Sequence, residues 1–374
     1  MTAARRRTVD DTQETTNGRG GMDGWCTGKR VGGSGLPASK RAGDDLLVGV
    51  AVAGRMTHAV CIIGLGIMGQ RMLANMHAHD RFTLVTAWDP DRAACARTAA
   101  RYPELRIAGS AAEAIDDARV GVVYIACPPA WHREHALASF AAGKAVYCEK
   151  PLGVDLAHSA DLVAAARRSG RCNIVNFSLA SAAATREVEA MLAAGTPGEL
   201  AGVDVRVHFG RWPREWQMDA AGWLSRAQQG GFTREVLSHW VYLSQRLFGP
   251  LTLDGACVRY PGGELAETHV LAQLRAGTLP VSVAGSVGGA GPDLVEYTIW
   301  GAERSWRIVD WNRLSSSDGG VWRDELTHLD DPRQTGYVMQ LDNAAAALSG
   351  QPHSMPDFAD ALRVQVLIED MLRA

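Results

Sequence analysis

Lys150 is a candidate for acid–base chemistry because of its position in the sequence. Lys150 belongs to the segment Glu149-Lys150-Pro151, which follows an apolar run at residues 145–148 that is predicted to be a buried strand. A lysine at the carboxyl end of a parallel strand can be partly desolvated, and it can then donate or accept a proton. A surface lysine that pairs with Glu149 is the alternative, and this segment alone leaves both interpretations open.

A second set of residues has the spacing of a dinucleotide site. An apolar run at residues 59–63 leads straight into a helical pattern through Gly64-Leu65-Gly66-Ile67-Met68-Gly69. In such a loop the first glycine permits the tight turn, the second lets backbone approach a pyrophosphate, and the third lets helix pack on strand. The start of the helix, with Ile67 and Met68, offers unpaired N–H groups to phosphates. A tight turn without a ligand is the alternative.

The choice of dinucleotide depends on Asp89, which ends the second predicted strand. A carboxylate there can accept hydrogen bonds from both hydroxyls of an adenine ribose, whereas a 2′-phosphate would meet like charge. The sequence therefore predicts NAD. Arg92 is close enough along the chain to accommodate that phosphate, so NADP stays open.

The order of predicted elements indicates two domains after a polar extension. Up to residue 177, apolar runs alternate with helical patterns, which predicts a Rossmann-type, doubly wound parallel sheet of the α/β class. Thereafter strand patterns separated by Gly and Pro predict an α+β domain with a mostly antiparallel open sheet. We expect a disordered extension at residues 1–55, a dinucleotide-binding domain at 56–177 and a second domain at 178–374.

Composition excludes several classes of function. The 374 residues carry a formal net charge of −3, which gives no reason to expect nucleic acid or an anionic membrane as a partner. No apolar run approaches the roughly 20 residues that span a bilayer. The seven cysteines include no C-x-x-C pair, which predicts reduced, buried thiols in a cytoplasmic protein. His132, Glu134 and His135 suggest a metal only weakly, because they lack matched ligands elsewhere, so none is expected.

Two motifs resemble a known family. The segment Ala126-Cys127-Pro128-Pro129 with His132, followed by Glu149-Lys150-Pro151, is similar to the signature of the glucose–fructose oxidoreductase / inositol dehydrogenase / rhizopine-catabolism (Gfo/Idh/MocA) family. The resemblance covers essentially residues 59–374. It implies that Lys150 lies beside the nicotinamide and the reacting carbon and precedes a cis bond to Pro151. It further implies cofactor contacts at Cys127, Pro128, His132, Glu149 and Asn176.

A glycine pair and a downstream histidine resemble the family's second motif, D-x-x-x-H on a helix. Here Gly230-Gly231 precede Glu235 and His239, and residues four apart on a helix share a face. The resemblance implies that His239 is the acid/base partner that holds the substrate oxygen. Glu235 replaces the family's usual Asp, and Ser178 stands near where many relatives carry arginine, so sugar-type geometry is not assured.

The stretch before this motif is rich in groups that can bind a substrate. Tryptophans at a cleft rim can stack on sugar or aromatic faces, and arginines can hold a carboxylate or phosphate. Packing of a long loop is the alternative for the rings. The residues concerned are Trp212, Trp216, Trp223, Arg211, Arg214 and Arg226.

Together these features predict a nicotinamide-dependent dehydrogenase or reductase. It would transfer hydride reversibly between NAD(P) and a carbinol, carbonyl or imine carbon of a sugar, cyclitol or other small polar molecule. Lys150 and His239 would handle the proton, and Glu235 would orient His239 or the substrate. The resemblance implies a homodimer or homotetramer. Two alternatives remain: a non-catalytic NAD-sensing regulator, and a lyase or glycosidase that recycles tightly bound NAD.

Overall fold

The first half of the chain forms one parallel sheet. The computed structural model describes residues 57–374, so the predicted disordered extension at residues 1–55 lies outside the described residues. The sheet has six strands in the order β3-β2-β1-β4-β5-β6, all paired in parallel. The strands are β1 His58–Ile63, β2 Phe82–Trp88, β3 Arg106–Ile107, β4 Val122–Ile125, β5 Ala145–Glu149 and β6 Asn173–Asn176. The order reverses between β1 and β4, where open α/β sheets bind ligands at the carboxyl ends of the strands.

Helices connect these strands and cover the sheet. They are α1 Ile67–His77, α2 Arg92–Arg101, α3 Ala111–Asp116, α4 His132–Ala141 and α5 Leu156–Ser169. The side chains of Asp91, Ser110 and Asp155 accept backbone N–H bonds at the starts of α2, α3 and α5. Such caps satisfy donors that have no partner within the helix. The residues of β4 are wholly buried, as expected for a central strand that is covered on both faces.

The second half forms an eight-stranded sheet in the order β14-β13-β12-β11-β7-β10-β9-β8, in which β7 and β10 alone pair in parallel. The strands are β7 Leu200–Phe209, β8 Leu251–Arg259, β9 His269–Ala276, β10 Leu279–Val287, β11 Leu294–Gly301, β12 Ser305–Val309, β13 Arg313–Ser317 and β14 Arg323–Asp324. The helices are α6 Ala183–Ala193, α7 Ala221–Leu224, α8 Ser238–Phe248, α9 Pro332–Leu348 and α10 Phe358–Arg373. In β9 buried and exposed residues alternate strictly, so this sheet buries one face only.

This architecture confirms the predicted fold class, a Rossmann-type parallel sheet with a mostly antiparallel second sheet. Sequence patterns missed β3, α3, β13 and β14, because elements of two to six residues are too short to show a period. The helix predicted to carry Glu235 and His239 begins differently: residues Thr233–Leu237 form one turn of π-helix before α8. Cys257 is exposed, contrary to the prediction of buried thiols. Among residues 57–374, no helix is long and apolar enough to cross a membrane.

A buried ion pair connects the π-turn to the last helix. Arg234 Nε and Nη2 donate to the two carboxylate oxygens of Glu369 on α10, at 2.6 and 2.8 Å. Arg234 Nη1 donates to the carbonyls of Ala227 and Gly230, at 2.7 and 2.9 Å. Both charged side chains are only 9% exposed. The pair therefore holds the start of α8 against α10, which also packs along α5 and β8.

Removal of one member of this pair should destabilise the protein. We expect Arg234→Met to lower the free energy of unfolding by about 3–5 kcal/mol, because Glu369 stays buried without its partner. Chemical denaturation measures the change. The matched control is Arg275→Met, whose pair with Asp254 is about half exposed, and its expected cost is at most about 1 kcal/mol. Equal losses in the two variants would contradict this assignment.

Candidate active site

The glycine loop forms an open cradle at the sheet's switch point. Gly64 has a φ of +97°, and a Cβ there would lie 2.7 Å from the backbone nitrogen of Cys127. A Cβ on Gly69 would lie 1.9 Å from the carbonyl oxygen of Gly64. A Cβ on Gly66, by contrast, would meet nothing within 4 Å, and no side chain caps the N-terminus of α1. Two glycines are thus required by protein packing, whereas Gly66 faces open space of the kind that a dinucleotide backbone needs.

Asp89 is held beside this cradle. One carboxylate oxygen accepts the backbone N–H of Leu65, and the other accepts that of Asp91, both at 2.7 Å. The carboxylate therefore bridges the glycine loop and the start of α2. Each oxygen retains a further lone pair that can accept a hydroxyl proton.

Lys150 lies directly after β5 and points towards the second half of the chain. Its peptide bond to Pro151 is cis, as the family resemblance implies. Its ammonium donates to the Glu235 carboxylate at 2.7 Å and to the Glu235 carbonyl at 3.0 Å. The two side chains are 9% and 14% exposed, so this ion pair is largely shielded from water. The predicted residues Lys150 and Glu235, 85 positions apart, are thus brought together.

The glycine pair explains how Glu235 reaches this position. A Cβ on Gly230 would lie 2.3 Å from the carbonyl oxygen of Leu224. Gly231 has a φ of +96°, and a Cβ there would lie 2.3 Å from the buried carboxylate of Glu267. Glu267 also accepts the backbone N–H of Thr233 at 2.7 Å. The π-turn that follows is a feature frequent at functional sites, and it projects Glu235 towards Lys150.

His239 lies one turn further on, enclosed by aromatic rings. Phe177 and Trp311 contact the imidazole edge-on, with ring centroids 5.6 and 5.3 Å away. Its Nδ1 is 3.5 Å from the hydroxyl of Ser178, and its Nε2 has no hydrogen-bond partner among residues 57–374. Burial, and then the positive charges of Lys150 and Arg214, lower the pKa of His239 well below its ordinary value. The imidazole is therefore neutral at physiological pH.

A buried polar network supports the strand ends behind Lys150. The Glu149 carboxylate accepts from the hydroxyl of Tyr124 and from the amide of Asn176, the latter at 2.8 Å. Asn176 Oδ1 in turn accepts from Tyr147 at 2.7 Å and from Gln340 at 3.0 Å. Burial raises the pKa of Glu149. Glu149 and Asn176, predicted as cofactor contacts, are thus engaged with protein groups, and they hold β4, β5 and β6 in register.

His132 lies between the loops that follow β4 and β5, at the same edge of the parallel sheet as Lys150. Its ring is fully buried, and its two nitrogens lie 2.9 Å from the carbonyls of Cys127 and Pro151. Burial lowers its pKa to about 4 despite these carbonyls. Both nitrogens face carbonyl oxygens, and the neutral ring can donate to only one of them, so His132 serves to position the turn Cys127-Pro128 and the loop at Pro151. Residues 57–374 contain no group of three or more His, Cys, Asp and Glu that could hold a metal ion.

The tryptophans of the loop before the glycine pair differ in their exposure and contacts. Trp212 is half-buried and donates to the carbonyl of Leu224 at 3.0 Å, so it packs the loop. Trp216 is 47% exposed and lies under the guanidinium of Arg214. Sequence reasoning missed Trp311, which adopts a φ of +73° and stacks on Trp240 while it contacts His239. Positive φ at a tryptophan is rare, so no residue-type signal marks this position.

Comparison with known proteins finds similarity to an oxidoreductase family in the first half of the chain. The Gfo/Idh/MocA family model, described as an oxidoreductase family with an NAD-binding Rossmann fold, matches residues 58–177. Inositol 2-dehydrogenase 3 of Saccharopolyspora erythraea is 35% identical over 147 residues, which cover 38% of this chain and 43% of that protein. Human trans-1,2-dihydrobenzene-1,2-diol dehydrogenase is 32% identical over 145 residues, which cover 38% of this chain and 40% of that protein. The chain therefore spans less than half the length of these relatives.

Solved structures extend the likeness in fold to the second half. The WlbA dehydrogenase from Bordetella pertussis, in complex with NADH and UDP-GlcNAcA, has a TM-score of 0.73 at 22% identity, over 85% of this chain and 95% of that one. A levoglucosan dehydrogenase in complex with NADH has a TM-score of 0.75 at 18% identity, over 85% of this chain and 96% of that one. At these identities the likeness concerns the fold.

Two glycine substitutions should separate cofactor binding from packing. Gly66→Ala should leave the melting temperature near that of the wild type, since its Cβ meets no protein atom, but it should raise the Kd for NADH, because the methyl group enters the cradle. Gly69→Ala should instead cost roughly 1–3 kcal/mol of stability through overpacking. Thermal unfolding and NADH fluorescence titration measure the two effects. Unchanged NADH affinity in Gly66→Ala would sink the assignment of the cradle.

Proposed function

We propose that this chain, which belongs to the Gfo/Idh/MocA oxidoreductase family through residues 58–177, is a nicotinamide-dependent dehydrogenase or reductase of small polar molecules. The observation that carries the proposal is the meeting of Lys150, Glu235 and His239 beside the open glycine cradle. Named relatives act as dehydrogenases of inositols and of a dihydrobenzene diol, and one is a 1,5-anhydro-D-fructose reductase. A carbinol or carbonyl carbon is therefore the expected reaction centre.

The cofactor would be held by the cradle, with its pyrophosphate at the N-terminus of α1 and its adenine ribose at Asp89. The residues of the cradle are Gly64, Gly66, Ile67, Met68 and Gly69. Bound NAD supplies the carbon that accepts or returns the hydride. Two backbone N–H groups fix the Asp89 carboxylate, and that negative charge favours NAD over NADP.

His239 is suited to take the proton of a substrate hydroxyl. Its imidazole is neutral because burial and two neighbouring cations disfavour the charged form. A neutral imidazole has one ring nitrogen that accepts a proton, and Nε2 has no partner in the described part of the chain. We assign His239 as general base during oxidation and as general acid during reduction.

Lys150 is suited to stabilise the substrate oxygen as charge develops there. Its ammonium has three donors, and two are used by the Glu235 carboxylate and carbonyl. The third remains for the substrate oxygen. Glu235 contacts Lys150 rather than His239, so we assign Glu235 as the residue that orients and neutralises Lys150. The longer side chain, in place of the family's Asp, allows this contact.

Several expectations from the sequence stay predictions. They are the domain boundary at residue 177, substrate binding and subunit contacts by residues 178–374, a homodimer or homotetramer, and a cytoplasmic location. One feature supports assembly through the second sheet: Leu271 on β9 is 60% exposed and Trp300 on β11 is 42% exposed, on strands whose other face is buried. Both side chains lie on the exposed face of this sheet, which is the face that we propose a second subunit covers.

Loss of the Lys150 ammonium should abolish turnover without loss of cofactor binding. We expect Lys150→Met to lower kcat about a hundredfold or more, the scale of general acid–base catalysis, while the Kd for NADH stays within a few-fold of wild type. Nicotinamide absorbance over a panel of sugars, cyclitols, ketones and cyclic imines measures turnover. The double variant Lys150→Met, Glu235→Gln should regain any stability lost to the unpaired carboxylate, but not kcat.

Lys144→Met is the matched control, since within residues 57–374 Lys144 donates to the backbone carbonyls of Asp117 and Val120 and to no other group. Its kcat should equal that of the wild type. Wild-type turnover in Lys150→Met would refute the assigned role. Tight NADH binding without turnover of any compound by the wild type would favour a sensor or an enzyme that recycles bound NAD.

The pH dependence of oxidation should report the lowered pKa of His239. The base form is present above that pKa, so kcat/KM for oxidation should stay level as the pH falls to 6.5 and should decline only below it. His239→Gln should lower kcat/KM at every pH. His269→Gln, at an exposed histidine on β9, is the control that should change nothing. An acid limb centred above pH 6.5 would contradict a neutral His239.

A further inference from the structure

Arg214 is a cation fixed at the rim of the site by aromatic rings. Its guanidinium carbon lies 4.7 Å from the ring centroids of both Phe209 and Trp216, and 5.9 Å from that of Trp212. Its Nε donates to the buried Gln217 side chain at 2.9 Å. Stacking and this hydrogen bond set the plane of the guanidinium. The two terminal nitrogens, which carry four N–H donors, have no hydrogen-bond partner in the described residues.

The charges around Arg214 leave it without a counter-ion. No carboxylate in residues 57–374 forms an ion pair with it. Glu235 and Asp293 attract it from a distance, while Arg71 and Arg333 repel it. Glu235 already pairs with Lys150, and Asp293 is exposed and accepts the backbone N–H of Gly210 at 3.1 Å. Burial lowers the pKa of Arg214 to about 10, and the side chain remains cationic at neutral pH.

A second arginine extends this positive region towards the cofactor cradle. Arg71 lies on α1, two residues after Gly69. Its guanidinium carbon is 5.3 Å from the centroid of the Trp216 ring, which Arg214 also contacts. Trp216 thus contacts two guanidiniums, one from each half of the chain.

The ring of Trp212, which Arg214 contacts, packs edge-on against Phe232, the residue before the π-turn that carries Glu235. The charge of Arg214 also contributes to the low pKa of His239.

The other two arginines of this loop have different surroundings. Arg226 pairs with Glu264 at 3.3 Å, and both side chains are at least half exposed. Arg211 is exposed and has no partner in the described residues. Of the three arginines that the sequence offered as anion ligands, Arg214 alone combines partial burial, a fixed plane and proximity to His239.

We propose that Arg214 binds an anionic group on the substrate, a carboxylate or a phosphate ester, so that the substrate class is an acidic sugar or polyol rather than a neutral one. This inference rests on the proposed dehydrogenase function. The flat guanidinium presents paired N–H donors that match two oxygens of one anion. A neutral substrate would leave a partly desolvated cation unpaired, whereas an anion compensates for its lost hydration.

Calorimetric titration tests this without turnover. D-glucuronate, D-glucose 6-phosphate and D-glucose are each titrated into the complex of the full chain with NADH. One of the two anions should bind ten- to hundredfold more tightly than glucose, the range of a charge-assisted pair. Arg214→Gln should abolish that preference, Arg214→Lys should keep part of it, and Arg211→Gln, the matched control on the same loop, should keep all of it.

Which anion is preferred identifies the carboxylate or the phosphate as the natural group. Equal affinity for glucose and both anions, no binding of either anion at millimolar concentration, or a preference unchanged in Arg214→Gln would overturn the proposal. Loss of NADH affinity in Arg214→Gln, with the preference intact, would assign Arg214 to the cofactor instead. Arg214-dependent binding without turnover of any compound would leave the anion site standing while the dehydrogenase function fails.

Discussion

The structure depends on one contact across its two halves, the ion pair between Lys150 and Glu235. Lys150 directly follows the fifth parallel strand, and Glu235 belongs to the π-turn of the second half. A largely buried ion pair is tolerated only where geometry and further hydrogen bonds compensate for lost hydration. Here the ammonium also donates to the Glu235 carbonyl. The surrounding structure holds the Lys150 ammonium and the Glu235 carboxylate 2.7 Å apart.

Each partner is supported by packing of its own. Behind Lys150, the network of Glu149 and Asn176 joins three strand ends, and the buried ring of His132 lies between the carbonyls of the two flanking loops. Behind Glu235, Gly230 and Gly231 allow a backbone approach that no other residue would permit, and Arg234 anchors the π-turn to the last helix. Buried polar groups that are joined by hydrogen bonds in this way make such a site rigid. Rigid positioning of the proposed acid/base groups is what the proposed hydride transfer would need from the protein.

Local patterns in the sequence predicted the parts of the site but not all of its contacts. The glycine loop, Asp89 and Lys150 each carry a motif whose strand or helix context is local, and the fold confirms that context. The partner of Lys150 was not predictable, because the contact spans 85 positions and depends on a π-turn that has no periodic signature. Similarly, Trp311 adopts a backbone conformation usual for glycine, and Arg214 differs from Arg211 only in its tertiary surroundings.

The most direct test of the central claim is deuterium transfer. The full chain is incubated with NADH that carries deuterium at both hydrogen positions of the reactive carbon, C4, and a panel of ketoses, inososes and keto acids, and the products are analysed by mass spectrometry. If Lys150, Glu235 and His239 surround a hydride-transfer centre, one product gains a single deuterium at a carbinol carbon and an equal amount of NAD⁺ forms. Bound NADH that retains its deuterium with every compound would contradict the account.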